Sequence, residues 1–232
     1  MKKDAILIAA GRGERMRPLT LETPKPLVKV HGRPMIETII DALRLHDVGH
    51  IYVVVGYLGD KFSYLPEKYS DLTIIKNTEF NIKNNISSIY AVSDIMGQND
   101  TFVCEADLYV SDPAIFDGVP DTSCYFGKMV HGHSDDWVLN LDGKYISSLG
   151  VGGDDVYNMA GISYFKAEDA GLIAEAVRKK YSESGHEQLY WDEVVNEMLN
   201  TLKVTVHAVG ADQIVEIDSV AELAAVDPSY RQ

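Results

Sequence analysis

Cysteine is nearly absent. Cys104 and Cys124 are the two in 232 residues, and no motif spacing relates them. That argues against a disulfide scaffold and fits a reduced, cytoplasmic protein in which both are core residues. Basic residues are also scarce, 21 against 35 acids for a net charge of -14, which argues against a nucleic-acid partner. No apolar run reaches the roughly 18 residues of a membrane span, so no membrane partner is expected. The start, Met1-Lys2-Lys3 followed by apolar residues, has the charge of a signal peptide but not its length. The run ends at Gly11, and Arg12, Glu14, Arg15 and Arg17 follow at once. It reads instead as a first buried strand. Internal repeats, low-complexity stretches and linkers are missing too, so residues 1–232 read as one domain large enough for a sizeable core.

What is present alternates strand and helix. Residues 5–10 form a continuous apolar run, as in a central strand buried on both faces. Pro34 can open a helix, because a missing N–H costs nothing in the first turn. Met35, Ile36, Ile39, Ile40 and Leu43 then recur at helical spacing. Residues 51–55 make the next strand, giving a strand–helix–strand unit with parallel pairing. Residues 72–75 and 101–106 read as further strands, and 87–96 as a helix with Ile89, Val92 and Met96 inward. After residue 120 the character changes. Segments 123–130, 137–141 and 144–149 look like strands, with Asp142-Gly143 as a hairpin turn. Strand 160–165, helices 168–181 and 191–199, and strands 204–209 and 214–217 complete the sheet, and a short helix starts near Ser219. The expected fold is α/β, with a mixed, mainly parallel sheet and a small antiparallel flap.

The turn after the first strand reads Ala9-Ala10-Gly11-Arg12-Gly13-Glu14-Arg15-Met16. A dinucleotide fingerprint needs a glycine where Met16 stands, and no Gly-Lys-Ser/Thr follows for a P-loop. Glycines 11 and 13 would still let backbone N–H groups approach phosphate oxygens. Residues 12–33 carry six cations and two anions in an otherwise acidic chain, which suits a specific small anion. Arg15 offers a planar fork for phosphate, and Lys25 a point charge stiffened by Pro24 and Pro26.

This string, with Thr23-Pro24-Lys25-Pro26-Leu27 and Gly32-Arg33-Pro34-Met35-Ile36-Glu37, resembles the signature of the nucleotidyltransferase superfamily that activates sugar and alcohol phosphates. The resemblance implies a single-domain, Rossmann-like nucleotidyltransferase fold with nucleotide bound over Ala9, Ala10, Gly11 and Gly13, and with Arg15 and Lys25 as catalytic cations. Nucleotidyl transfer crowds negative charge at the α-phosphate, so a divalent ion is expected. Magnesium favours one or two carboxylates plus phosphate oxygens. Asp107 follows the strand 101–106, where ligands of α/β sheets bind. Asp218 precedes Ser219-Val220-Ala221-Glu222, a capping box that satisfies the helix start without it. Turn capping remains open for both aspartates; the resemblance implies that they share the metal.

Both tryptophans lie beside acids. Trp137 follows Asp135-Asp136, and Trp191 stands between Tyr190 and Asp192. Aromatic faces with carboxylates suit a quaternary ammonium, and core packing is the plainer reading of the same residues. Asn84-Asn85-Ile86-Ser87-Ser88, Asp135-Asp136-Trp137, Leu189-Tyr190-Trp191-Asp192 and Glu216-Ile217-Asp218-Ser219 are similar to the bacterial CTP:phosphocholine cytidylyltransferases. That similarity implies CTP as donor, phosphocholine as acceptor, and CDP-choline and pyrophosphate as products. It implies Asn84, Asn85 and Ser88 near the nucleotide, and Trp137, Tyr190, Trp191, Asp192 and Glu216 around the acceptor. Residues 150–157, rich in Gly and Asp, match nothing in that pattern. A 2-aminoethylphosphonate cytidylyltransferase would share the whole fold. A sugar-1-phosphate enzyme would need more polar groups, and a non-catalytic nucleotide sensor would not need Arg15, Lys25, Asp107 and Asp218 together. The sequence admits a homodimer.

Overall fold

The computed structural model describes residues 2–231. In chain order the elements are β1 (Lys3–Ala9), the short pair β2 (Lys29–Val30) and β3 (Arg33–Pro34), α1 (Met35–Leu45), β4 (Val48–Val55), α2 (Leu65–Lys68) and β5 (Leu72–Lys76). There follow α3 (Ile86–Ala91), β6 (Asp100–Glu105), β7 (Leu108–Val110), β8 (Cys124–Asp142), β9 (Tyr145–Phe165), α4 (Ala167–Tyr181), α5 (Trp191–Met198), β10 (Thr205–Ala208), β11 (Ile214–Glu216) and α6 (Val220–Val226).

The apolar run of β1 has no polar interruption because both faces of the strand are covered. Ala5, Leu7 and Ala9 enter one core, with Ile36, Ile39, Ile40 and Leu43 of α1. Ile6 and Ile8 enter the other, with residues of α3, α4 and α5. The α1 positions recurring at helical spacing are all fully buried, and the helix starts directly after Pro34. Seven strands form one sheet in the order β10-β8-β9-β6-β1-β4-β5. Pairs β6–β1, β1–β4, β4–β5 and β10–β8 are parallel, while β9 runs antiparallel to both β6 and β8. Strand order reverses at β1, which sits between β4 and β6. A doubly wound sheet opens a crevice at such a switch point, beyond the carboxyl ends of its strands.

The flap differs from its sequence reading. The segments 123–130, 137–141, 144–149 and 160–165 are parts of two long strands, β8 and β9, joined at Gly143 with φ +61°. Their register shifts repeatedly between Tyr125 and Leu141. Each bulge breaks the inside–outside alternation that marks a strand in sequence, so the Gly- and Asp-rich residues 150–157, unassigned from the sequence, are extended chain within β9. The segment 214–217 does not join the main sheet. β11 pairs with β7 in a separate two-stranded sheet, with Glu216 opposite Leu108. That pairing swings the segment before α6 back over the end of β6. The helix expected over 87–96 is regular only to Ala91, though Ile89, Val92 and Met96 are buried as the periodicity requires.

Candidate functional site

Two adjoining cavities open at the switch point, of about 480 Å³ and about 580 Å³. The first is floored by the turn after β1. Gly13 there adopts φ +57°, its carbonyl accepts from Thr20 Oγ1 at 2.8 Å, and a Cβ on it would lie 2.8 Å from Lys25 Cβ. Only glycine meets both demands. Gly11 faces open space. Ala9, Ala10, Gly11, Gly13, Arg15, Lys25, Asn84, Asn85, Ser88, Asp107 and Asp218, named from the sequence as nucleotide, catalytic or metal positions, all line this cavity. Trp137, Tyr190, Trp191, Asp192 and Glu216 line the second. Arg15, Asn85, Glu105, Asp107 and Asp218 stand between the two.

At that boundary Lys25 is buried. Its Nζ pairs with Asp107 Oδ2 at 2.6 Å and with Asp218 Oδ1, and Arg15 Nη2 meets Asp218 Oδ2 at 2.9 Å. Burial alone would lower the Lys25 pKa, but Asp107 and Asp218 outweigh it and hold the ammonium charged. Glu216, expected among the acceptor residues, joins these aspartates. One oxygen each from Asp107, Glu216 and Asp218 lie within 4.8 Å of one another. Glu216 keeps solvent access, but the surrounding walls crowd water from its carboxyl, and this partial desolvation, then the charges of Asp107 and Asp218, push its pKa up. Asp107 Oδ1 is buried with no hydrogen-bond partner among the described residues. An oxygen-only donor set with a free carboxylate lone pair fits a hard divalent cation such as magnesium.

The acceptor side is less aromatic than its sequence suggests. Trp191 is 3% exposed and packs in the core, stacked on Tyr125 with ring centroids 6.4 Å apart and edge-on to Phe165 at 6.1 Å. It backs the cavity rather than forming an open cage face. Helical periodicity explains this, since Trp191, Val194 and Val195 form the buried side of α5. Trp137 and Tyr190 stand at the rim, 37% and 44% exposed, with centroids 6.1 Å apart. Asp192 accepts from Tyr125 Oη at 2.9 Å, and burial pushes its carboxyl up to about 7 against that hydrogen bond. Asp136 also lines the cavity. Its neighbour Trp137 was the sequence signal, and the carboxylate itself was passed over.

Glu105 was missed altogether. It ends β6 two residues before Asp107, borders both cavities, and is held well above the usual carboxylate range by burial and then by Asp107, Asp192 and Glu216. The strand-end argument that found Asp107 applies equally to it. The Ser88 hydroxyl is buried and accepts from Asn77 Nδ2 at 3.1 Å, so it braces the cavity wall.

Proteins of known activity are similar to this chain along nearly its whole length. The MobA-like NTP transferase domain matches residues 5–122, from β1 to just short of the flap. A 2-aminoethylphosphonate cytidylyltransferase from Lancefieldella rimae is 53% identical over 231 residues, covering 99% of this chain and 94% of that protein. A choline-phosphate cytidylyltransferase from Streptococcus pneumoniae is 32% identical over 219 residues, 94% of each chain. The solved CTP:phosphocholine cytidylyltransferase from Streptococcus pneumoniae superposes with a TM-score of 0.90 at 30% identity, with both chains covered in full. Half of this chain thus fits one domain pattern, and its relatives match along nearly their whole length: it belongs to the MobA-like NTP transferase family and, within it, stands with the cytidylyltransferases.

Proposed function

We propose that the chain transfers CMP from CTP to 2-aminoethylphosphonate and releases pyrophosphate. The observation that carries this reading is the 53% identity over 99% of the chain with the Lancefieldella rimae enzyme, against 32% with the choline-phosphate enzyme. It replaces the phosphocholine acceptor expected from the sequence. The cavity chemistry supports the change. A quaternary ammonium has no N–H to donate and needs aromatic faces, whereas a primary ammonium has three donors and needs acceptors. With Trp191 in the core, one indole and one phenol remain at the rim. Asp136, Asp192 and Glu105 line the same cavity.

In this mechanism a phosphonate oxygen attacks the α-phosphorus of CTP in line. One P–O bond forms, the bond from the α-phosphorus to the bridging oxygen breaks, and the leaving pair departs on pyrophosphate. The phosphonate is already anionic, so no strong base is needed. Lys25 and Arg15, tethered by Asp107 and Asp218, face the boundary where charge grows and stabilise it there. Asp107 and Asp218, with Glu216 beside them, would hold the magnesium ion, which supplies further charge stabilisation and orients phosphate oxygens. The acidic end of the second cavity then takes the ammonium.

The test is kcat/KM with CTP for 2-aminoethylphosphonate, phosphoethanolamine and phosphocholine under one condition, read by pyrophosphate release. The phosphonate should rank first. A preference for phosphocholine would overturn the acceptor assignment, and a preference for another nucleoside triphosphate would overturn the donor.

A further inference from the structure

The loop of residues 182–190 joins α4 to α5 and ends in Tyr190, at the rim of the acceptor cavity. Among the described residues, every hydrogen bond it makes beyond itself and those two helices runs to Asn84. The Asn84 N–H donates to the Glu187 carbonyl at 2.7 Å, and Asn84 Nδ2 donates to the Gln188 carbonyl at 3.1 Å. The Trp191 N–H, a donor that the first turn of α5 leaves unsatisfied, goes to Asn85 Oδ1 at 2.9 Å. Asn84 Oδ1 is engaged as well, accepting from the Asn85 N–H at 2.8 Å. On the nucleotide side, Ser87 Oγ donates to the Asn84 carbonyl at 2.7 Å, and Asn77 Nδ2 donates to Ser87 Oγ at 2.8 Å.

These two asparagines line the nucleotide cavity, yet both polar ends of the Asn84 side chain are taken by protein. We propose that Asn84 and Asn85 are positioning residues for the acceptor rather than nucleotide ligands: they hang the segment 187–192 from the nucleotide-side turn and so set where Tyr190 and Asp192 stand. The proposal rests on the reading that the second cavity takes the amine acceptor. Its physical basis is that an unbraced loop between two helices pays ordering entropy each time the acceptor binds, whereas a braced one has paid it on folding. Asp192 is the second residue of α5, so releasing the Trp191 N–H frees the backbone that aims its carboxylate.

The experiment uses the full chain and initial-rate kinetics on Asn84→Ala, Asn84→Asp and Asn85→Ala. Asn84→Asp keeps the acceptor for the Asn85 N–H and loses the bond to Gln188; because it also adds a negative charge beside the nucleotide cavity, only its acceptor KM is read, and Asn85→Ala carries the comparison with CTP if Asn84→Ala folds poorly. The KM for 2-aminoethylphosphonate should rise about fivefold per hydrogen bond removed, with the KM for CTP changed less than about twofold. In a Trp137→Phe background Trp191 is the one tryptophan left, and its quenching by acrylamide should increase in the same variants. A rise in the KM for CTP with the acceptor KM unmoved would make these residues nucleotide ligands and overturn the proposal, as would unchanged kinetics and quenching. If the unaltered chain prefers another acceptor, the reading of its function fails, and the KM split is measured with that acceptor and decides the present question independently.

Discussion

Replacing Gly13 by alanine tests whether the turn after β1 exists to seat Lys25. At φ +57° an L-residue costs about 1–2 kcal/mol. The new Cβ would meet Lys25 Cβ at 2.8 Å and Thr20 Cγ2 at 3.1 Å. Lys25 Cβ cannot swing aside as a side-chain tip can, because it is fixed to a backbone held between Pro24 and Pro26 in a 3-10 turn. The overlap therefore moves the Lys25 backbone, and with it the ammonium that pairs with Asp107 and Asp218. For a protein of this size, 1–2 kcal/mol should lower Tm by roughly 2–8 °C. With Lys25 in the proposed role of stabilising the reacting phosphate, displacing its ammonium by about 1 Å should lower kcat by up to about a hundredfold. Gly11→Ala is the control: its Cβ meets nothing within 4 Å, and its φ lies outside the left-handed region. Its stability should stay within about 0.5 kcal/mol of the unaltered chain. Thermal melts and pyrophosphate release on both variants provide the assay. A Gly13→Ala protein that melts and turns over normally would refute the reasoning, as would a Gly11→Ala protein destabilised to the same degree.

Asp107→Asn and Asp218→Asn should each abolish turnover at ordinary magnesium; each also leaves the buried Lys25 with one carboxylate fewer, so some loss of Tm is expected and melts recorded beside the assay must show the variant folded at the assay temperature. Normal turnover in either variant removes that residue from the proposed metal site. Trp137→Ala should raise the acceptor KM by only about two- to fivefold, the value of a cation–π contact at an exposed site, without lowering Tm. Trp191→Ala should destabilise by about 3–5 kcal/mol, the cost of a core truncation, and equal melting of the two variants would contradict the packing described above. Asp100 is buried, and its carboxylate accepts from Lys166 Nζ at 2.7 Å, the Ala167 N–H at 2.9 Å and Tyr164 Oη at 2.8 Å. Burial pushes its pKa up, but those bonds outweigh it and leave it below the usual value. Its contribution is thus complete above the unfolded pKa of about 3.9 and is lost as pH falls through the lower folded value. Asp100→Ala should cost about 3–5 kcal/mol in urea titrations at pH 7 and much less at pH 2, and a penalty independent of pH would show that the carboxylate charge is not what matters.

Local sequence carried the first half of the molecule. The uninterrupted apolar run of β1, the Pro34 start and the buried spacing of α1 are each decided by neighbours along the chain, and the structure keeps them. The glycine turn, Arg15 and Asp107 could be found for the same reason, since they lie just after strands whose ends converge at one switch point, and Lys25 is marked by the prolines on either side of it. The flap was harder to read. Bulges shift its alternation, so β8 and β9 look like four short strands, and the Gly- and Asp-rich residues 150–157 carry no strand signal.

The acceptor chemistry lay further from any local signal. Trp137 and Trp191 have the same kind of acidic neighbours in sequence, yet one is at the rim and the other in the core. The helical period of α5 decides that, and only once the sheet gives the helix a face to bury. Glu216 reads as one more acid near the acceptor until β11 pairs with β7 and brings it to Asp107. Asn84 and Asn85 line the first cavity, where the sequence puts them, and their bonds to the loop before α5 arise only when that loop folds back against them. The sequence by itself determined the sheet's central strands and picked out the glycine turn and the two cations that line the first cavity, because each depends on a few consecutive residues. The tertiary structure alone decided which carboxylates gather, which tryptophan stands at the cavity rim and what the asparagines bond to, because the carboxylate and asparagine contacts join residues about 100 positions apart and only packing brings them together.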